Sequence, residues 1–167
     1  MIFYTLGTQL PFDRMTKAVD DWCEATGRAD VFGQISRPGR DGYRPKRYNW
    51  VERLAPDAFN ETFAAAELIV AHAGMGSILS ALSGGKLIVV MPRLARYGEH
   101  RNDHQRATAK QFANRAGIMT AADEKELPYV LDRALRVAPQ WRGDYVPPFA
   151  ESRLIDAIRK EIVGASG

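Results

Sequence analysis

Two glycines stand between a short apolar segment and a helical pattern, in the run His72-Ala73-Gly74-Met75-Gly76-Ser77. The N-terminus of a helix carries about half a positive charge and several backbone N–H groups without partners. Glycine at this place leaves the backbone open, so that an anionic ligand can approach it closely. The residue types and their spacing therefore predict a turn that binds phosphate.

A second polar junction follows the next apolar segment. Residues 87–91 lead into Pro92 and a loop rich in Arg and His, which ends at Asp103-His104-Gln105, where another helical pattern begins. Because the carboxyl ends of parallel strands meet at one edge of a sheet, we expect both junctions to face the same ligand. Two successive strand-to-helix junctions of this kind are typical of a nucleotide or nucleotide-sugar site.

Strand and helix patterns alternate along the chain. Strand patterns cover residues 2–6, 31–35, 48–54, 68–72, 87–91 and 118–119, and helical patterns cover 12–25, 56–66, 77–82, 102–115, 124–137 and 149–163. This order predicts an α/β fold with a doubly wound, mostly parallel, Rossmann-like sheet covered on both faces. We expect one nucleotide-sugar-binding domain over residues 1–148, ending in a linker from 139, and a C-terminal helix within 149–167 that packs on the domain or on a partner.

Size and composition narrow the class of protein. The chain has 167 residues, of which 46% are hydrophobic and 26% charged, as expected for one soluble globular domain. Its apolar runs fall far short of the roughly 20 residues that a transmembrane helix needs. No signal-peptide pattern follows Met1, and the single Cys23 excludes an intrachain disulfide. These features predict a cytoplasmic protein.

Basic residues cluster in two segments of a chain whose net charge is +3. Residues 37–53 hold six Lys or Arg against two acids, and residues 91–116 again hold six against two. Solvated surface charge, a phosphate-bearing ligand and an anionic membrane surface are all compatible with this pattern. Nucleic acid is disfavoured, because no basic strand interleaved with aromatic residues and no recognition helix accompanies the charge.

Five motifs, in order and at compatible spacing, resemble glycosyltransferase family 28, specifically its carboxyl-terminal, nucleotide-sugar-binding domain. They are Gly7-Thr8 with Phe12-Asp13, Gly33-Gln34, the run from His72 to Ser77, Gly85-Lys86 with the strand before Pro92, and Asn102-Asp103-His104-Gln105. Within that family the chain is similar to the catalytic subunit of the two-subunit GlcNAc transferase of asparagine-linked glycosylation and to its bacterial exopolysaccharide counterparts.

The resemblance implies roles for these residues. The glycine turn would hold the donor diphosphate, with Gly7 and Thr8 facing the phosphates, and His104 and Gln105 would contact the donor sugar. The whole set implied to bind the nucleotide sugar is Gly7, Thr8, His72, Gly74, Met75, Gly76, Ser77, Ser80, Arg101, Asn102, His104 and Gln105. Ser80 stands where full-length relatives often carry a Glu that bonds the ribose hydroxyls, and a single hydroxyl can bond only one ribose oxygen.

The resemblance also implies an activity. It predicts an inverting hexosyltransferase that uses a UDP-sugar and needs no metal or cofactor. The chain accounts for only the donor half of a two-domain glycosyltransferase, so we expect the acceptor half and the general base on a membrane-bound partner subunit, with His104 a candidate catalytic residue here. The expected acceptor is a polyprenyl-linked sugar at the cytoplasmic face of the inner membrane, where the heterodimer would be peripheral.

Two other classes of protein would share the glycine turn. A non-catalytic nucleotide-sugar-binding module would need no acceptor subunit. An epimerase or hydrolase fragment would need paired carboxylates near the motifs, and the sequence shows none there. An NAD-binding fingerprint would need a third glycine, which Ile78-Leu79-Ser80 does not supply.

A zinc site is a further alternative, because His100 and His104 are four residues apart, as two ligands on one helix face would be. Arg101 and Arg106, however, would bring positive charge to the place of the cation. A clamp of arginines around a diphosphate, drawn from Arg93, Arg96 and Arg101, explains this basic segment better.

Overall fold

A computed structural model describes residues 1–7 and 10–143. Its six strands are β1 (Ile2–Thr5), β2 (Val31–Gln34), β3 (Asn49–Val51), β4 (Leu68–His72), β5 (Leu87–Met91) and β6 (Ile118–Thr120). They form one sheet in the order β3-β2-β1-β4-β5-β6, and every neighbouring pair is parallel. The predicted doubly wound α/β fold is confirmed, with a described sheet that is wholly rather than mostly parallel.

Five α-helices lie between and after the strands: α1 (Asp13–Thr26), α2 (Pro56–Ala65), α3 (Met75–Ser83), α4 (His104–Phe112) and α5 (Leu127–Val137). Short 3₁₀ turns occur at Ala95–Tyr97 and Ala138–Gln140, the second of them where the linker was predicted to begin. The rest of that linker beyond residue 143 and the helix predicted over 149–163 lie outside the described residues. None of the helices in residues 10–143 is long and apolar enough to cross a bilayer.

Two apolar layers cover the sheet, because successive residues of each strand face opposite sides. Tyr4 of β1 lies in the layer formed with α1 and α5, and its hydroxyl shares a hydrogen bond with Thr16 at 3.0 Å. Phe3 lies in the opposite layer with α2, α3 and α4, where its ring meets those of Phe59 and Phe63 at centroid distances of 5.4 and 6.4 Å. Burial on both faces explains why β4 and β5 read as unbroken apolar runs.

The helix predicted over residues 102–115 was too long at both ends. The side chain of Asn102 accepts the His104 N–H at 3.3 Å, and that of Asp103 accepts the Ala95 N–H at 2.8 Å. These short polar side chains therefore form a turn before α4 rather than its first residues. After Phe112 the chain continues in turns, and Gly117, whose φ is +85°, leads it into β6.

The start of α5 also differs from the prediction, which placed it at residue 124. The Asp123 carboxylate accepts the N–H groups of Lys125 and Glu126, both at 3.0 Å. This local capping arrangement holds residues 123–126 in a turn, and regular helix begins at Leu127. In the other direction, α3 begins two residues earlier than predicted, so that Gly76 lies inside its first turn.

Candidate functional site

A cavity of about 380 Å³ opens at the carboxyl edge of the sheet. Its wall comes from the loops that follow β1, β4 and β5. The crossovers from β1 and from β4 run toward opposite edges of the sheet, so the cavity lies at the point where the strand order reverses. Doubly wound sheets bind their ligands in this crevice.

The cavity wall brings together eight of the twelve residues predicted to bind the ligand: Gly7, His72, Gly74, Met75, Gly76, Ser77, His104 and Gln105. Leu6, Leu10, Arg93 and His100 complete the wall. Ser80, Arg101 and Asn102 are exposed and do not line it. Thr8 lies outside the described residues. The two leucines were not predicted, because an apolar residue in a polar loop gives no chemical signal in the sequence.

The first turn of α3 forms one side of the cavity. Gly74 is the N-cap, its carbonyl accepts the Ile78 N–H at 3.2 Å, and no side chain among the described residues caps the helix. A Cβ placed on Gly76 would meet no described atom within 4 Å. Packing in this part of the chain therefore does not require glycine at position 76. What the missing side chain provides is open space beside free N–H groups.

Gly74 is a glycine for a different reason. A Cβ there would lie 2.3 Å from Nε2 of His72, whose ring folds back over the turn. The same ring would be 3.3 Å from a Cβ on Gly7, which also has a φ of +70°. The imidazole of His72 is thus held between two glycines and sets the shape of the turn.

The charge state of His72 follows from its surroundings. Burial, followed by the positive charge of Arg93, lowers the pKa of His72 to about 4. Its Nδ1 is buried and has no hydrogen-bond partner among residues 1–7 and 10–143. The imidazole is therefore neutral at physiological pH, and the turn keeps its shape without a charge on this ring.

Arg93 joins the loops on the two sides of the turn. Its buried guanidinium donates to the carbonyl oxygens of Leu6, Leu10 and Pro11 at 3.3, 2.7 and 2.6 Å. Its backbone N–H donates to Oε1 of Gln105 at 3.1 Å. Burial lowers the pKa of Arg93 from its ordinary value. Its three hydrogen bonds to carbonyl oxygens make Arg93 a structural link between the loops of the wall. Arg93 is also the one Lys or Arg among the described residues of that wall.

The arginine clamp considered from the sequence does not assemble around the cavity. The guanidinium of Arg93 is hydrogen-bonded to backbone carbonyls. That of Arg96 lies over the Tyr97 ring, 4.8 Å from its centroid, in the wall of another cavity. Arg101 is exposed and does not line the site. The sequence suggested a clamp because the three arginines are close along the chain. Closeness along the chain, however, does not determine the direction in which a long side chain points.

His100 and His104 do meet, with ring centroids 4.4 Å apart and their planes at 89°. They do not share a helix face, because α4 begins at His104. Nδ1 of His104 contacts the Asn102 amide oxygen, and slight burial together with His104 lowers the pKa of His100. No group of three His, Cys, Asp or Glu able to hold a metal occurs in the part of the chain that the structure describes.

Two other motif residues support the site from outside it. The Gln34 amide donates to the Gly7 carbonyl at 3.3 Å, and its oxygen accepts the Leu54 N–H at 2.9 Å. The ammonium group of Lys86 donates to the carbonyls of Ala64 and, at 2.8 Å, Ala66, and so closes the C-terminal end of α2. Gln34 thus fixes the β1–α1 loop of the cavity wall directly, whereas Lys86 fixes the junction of α2 with β4, the strand that carries His72.

The composition of the wall determines what it can bind. It offers free N–H groups at a helix N-terminus, three imidazoles and one guanidinium, and none of its described residues is Asp or Glu. Such a wall suits an anion. Together with the strand order, it places the chain in the class of Rossmann-like domains, with a wall that suits an anion at the switch-point crevice.

The chain belongs to glycosyltransferase family 28, because the model of its C-terminal domain matches residues 47–140, more than half of the chain. The match contains the glycine turn and the loop that ends at Gln105. Gly7 and Gly33-Gln34 precede it, so for those residues the likeness rests on the quoted motifs alone. No curated protein is similar enough in sequence to be matched.

Solved structures share the fold at low sequence identity. MurG of Acinetobacter baumannii superposes with a TM-score of 0.66 at 16% identity over 95% of this chain. ALG13 gives a TM-score of 0.57 at 17% identity over 97%. Os79 of O. sativa, solved in complex with UDP, gives 0.62 at 15% identity over 84%. The chain spans 49% of MurG and 33% of Os79 but 94% of ALG13.

The contact between His72 and Gly74 predicts a strong coupling between these positions. Gly74→Ala should lower the free energy of unfolding by about 1–3 kcal/mol, because its Cβ needs space that the ring occupies. In a His72→Ala background the same change should cost little, a coupling of at least about 1 kcal/mol. Urea unfolding of the four proteins measures this, with Gly76→Ala as the matched control. Simple additivity of the two changes would show that the ring does not set the turn.

The lowered pKa of His72 predicts how stability depends on pH. The unfolded chain, with a His pKa near 6.5, binds more protons than the folded chain between pH 6.5 and about 4. The neutral His72 imidazole therefore makes its full contribution to the unfolding free energy above pH 6.5. As the pH falls toward 4 and below, protonation of the unfolded chain removes up to about 3 kcal/mol of that free energy. His72→Gln should flatten the unfolding free energy over this range, whereas the exposed His104→Gln should not. Equal slopes in His72→Gln and wild type would contradict a buried neutral imidazole.

Proposed function

We propose that this chain is the donor-binding, catalytic subunit of an inverting, metal-independent glycosyltransferase. It would move a hexose from a UDP-sugar to a polyprenyl-linked acceptor in polysaccharide or glycoconjugate synthesis, such as that of an exopolysaccharide. The observation that carries this proposal is the first turn of α3, which no described side chain caps and which is open at Gly76, inside the switch-point cavity. Family membership supports a nucleotide sugar as the anion that binds there.

The diphosphate is proposed to accept hydrogen bonds from the N–H groups of Met75, Gly76 and Ser77 at the positive end of α3. The nucleoside would then extend along the same helix, where exposed Ser80 lies one turn beyond Gly76. This direction explains how Ser80 can serve the ligand although it does not line the cavity itself.

The donor sugar is proposed to lie against the β5–α4 side of the cavity. His100, His104 and Gln105 all line that side. Because Oε1 of Gln105 is already bound to the Arg93 N–H, the amide nitrogen is the group left to donate to a sugar oxygen. The sugar would thus be read by imidazoles and an amide, while the helix end holds the phosphates.

The other half of the reaction is proposed to come from a membrane-bound partner. None of the described residues in the wall is a carboxylate, so the wall offers only its imidazoles, with His104 the candidate, as a base for an acceptor hydroxyl. The wall also exposes Leu10 and Met75, at 42% and 44%, which a second domain could cover. Such a heterodimer would sit at the cytoplasmic face of the inner membrane, with residues 149–167 on this domain or on the partner.

A non-catalytic nucleotide-sugar-binding module is the second candidate. The absence of carboxylates from the described wall favours it, because a sensor needs only the phosphate turn. The two candidates differ in turnover. A catalytic subunit mixed with membranes that hold its partner and a polyprenyl-linked sugar should release UDP from a UDP-sugar, whereas a module should bind the donor and leave it intact.

Gly76→Ala separates donor binding from folding. Alanine fits the open space and favours helix by up to about 1 kcal/mol, so the unfolding free energy should stay equal or rise. Wild type should bind a UDP-sugar weakly, with about 4 to 6 kcal/mol of binding energy, because half of the cleft is absent. The methyl group should weaken this by about tenfold or more, and Gly76→Val should abolish it.

Titration calorimetry measures the loss, and Gly39→Ala is the matched control. Gly39 also has open space around its missing Cβ, but it lies outside the cavity wall. If Gly76→Ala binds the UDP-sugar as tightly as Gly39→Ala does, the diphosphate does not lie at the start of α3.

Metal removal tests how the leaving diphosphate is stabilised. Transfer by the chain reconstituted with partner membranes should survive EDTA, because the helix N-terminus and the guanidinium of Arg93 would neutralise the charge. The measurement is UDP release with and without chelator. Loss of activity that zinc or manganese restores would refute metal independence and point to His100 and His104 as ligands.

A further inference from the structure

An ion pair fastens the β5–α4 loop to α1 next to the cavity wall. Nε and Nη2 of Arg14 donate to the two carboxylate oxygens of Glu99, each at 2.9 Å. Only 13% of the Arg14 side chain and 9% of the Glu99 side chain are exposed. A two-pronged bond of this kind fixes orientation as well as distance, and burial protects it from screening by salt.

Further contacts make this pair the junction of three elements. Nη1 of Arg14 donates to Glu124 after β6 at 2.6 Å, and Nη2 donates to the Pro92 carbonyl after β5 at 3.3 Å. The guanidinium lies over the Tyr97 ring at 5.0 Å. Arg14 therefore holds both ends of residues 92–99 against α1 and the β6–α5 loop.

Arg14 and Glu124 stabilise each other's charged forms. Burial acts to lower the pKa of Arg14, but its hydrogen bonds to Glu99 and Glu124 more than offset this and raise it overall. The bond to Arg14 lowers the pKa of Glu124. The contact between Arg14 and Glu124 is thus a charged one throughout the physiological range of pH.

Glu99 and Asp103 hold the loop that carries the imidazoles. Glu99 also accepts the Leu94 N–H at 2.8 Å, and Asp103 accepts the Ala95 N–H at 2.8 Å. His100 follows Glu99 directly in the chain, after the left-handed turn at Gly98, where φ is +68°. No strand or helix contains residues 98–103, so these side-chain bonds set where His100 and the start of α4 lie.

We propose that Arg14 and Glu99 form a positioning latch for recognition of the donor sugar. Neither residue lines the cavity, and they act through His100 and His104, which do. Because the phosphate turn belongs to a different loop, the latch affects the affinity for a UDP-sugar and leaves that for UDP nearly unchanged. This inference rests on the proposed function in one respect, that the ligand is a UDP-sugar.

Calorimetry with UDP-N-acetylglucosamine, UDP-glucose and UDP as probes tests the latch. Arg14→Ala and Glu99→Gln should each weaken binding of the better UDP-sugar by about tenfold, as expected for a loss of alignment, and change UDP binding by less than about twofold. Arg14→Lys keeps the charge but cannot form the paired hydrogen bonds to Glu99, so it should show most of the loss of UDP-sugar affinity. Glu124→Gln leaves the two hydrogen bonds between Arg14 and Glu99 intact and should change UDP-sugar affinity little.

Lys17→Ala is the matched control, because it breaks an exposed ion pair with Asp21 on the same helix. It should bind both probes as wild type does. If Arg14→Lys and Glu99→Gln weaken UDP and UDP-sugar equally, or weaken neither, the latch is refuted and the pair only supports the fold.

Hydrogen exchange separates this result from a failure of the proposed function. Wild type that binds neither UDP nor a UDP-sugar would overturn the proposed function itself. The latch can still be tested in that case by the exchange rates of the backbone amides of residues 100–104. These amides should exchange faster in Glu99→Gln than in Lys17→Ala. Unchanged exchange at these amides would contradict the latch whatever the ligand is.

Discussion

The site depends on the hydrogen bonds that the buried guanidinium of Arg93 donates to three carbonyl oxygens. A cation removed from water is costly unless hydrogen bonds replace its hydration. Arg93 is 3% exposed and obtains them from carbonyls of the β1–α1 loop, a segment without regular secondary structure. It thereby sets the distance between the loops after β1 and β5, which flank the glycine turn. Lysine could not replace it, because one ammonium group cannot reach all three carbonyls with the same geometry.

The cavity combines two kinds of residue that look alike in the sequence. Gly74 is required by the ring of a neighbouring side chain, whereas Gly76 leaves space that no described atom uses. In the same way, Gln34 and Lys86 belong to the family motifs but hold a loop and a helix end outside the cavity. Other motif residues line it: Gly7, the first turn of α3, His104 and Gln105. A motif therefore records both the parts that would touch a ligand and the parts that place them.

Much of the fold and part of the site could be predicted from the sequence. β4 and β5 were predicted to the residue, because burial on both faces leaves an unbroken apolar run. The position of the glycine turn before α3 was predictable because it depends on neighbours in the chain. The role of Arg93 was not, because its bond to Leu6 joins residues 87 positions apart. The ends of α4 were missed because Asn102 and Asp103 form bonds that compete with the helix.

The central claim is that the first turn of α3 binds the donor diphosphate. An NMR titration of the ¹⁵N-labelled chain with UDP tests it most directly, since each backbone amide reports its own surroundings. If the diphosphate lies there, the largest shifts should fall on the amides of Met75, Gly76 and Ser77, with smaller ones at Gly7. Shifts that leave these amides unmoved and concentrate around Arg96 and Arg106, in the neighbouring cavity, would contradict it.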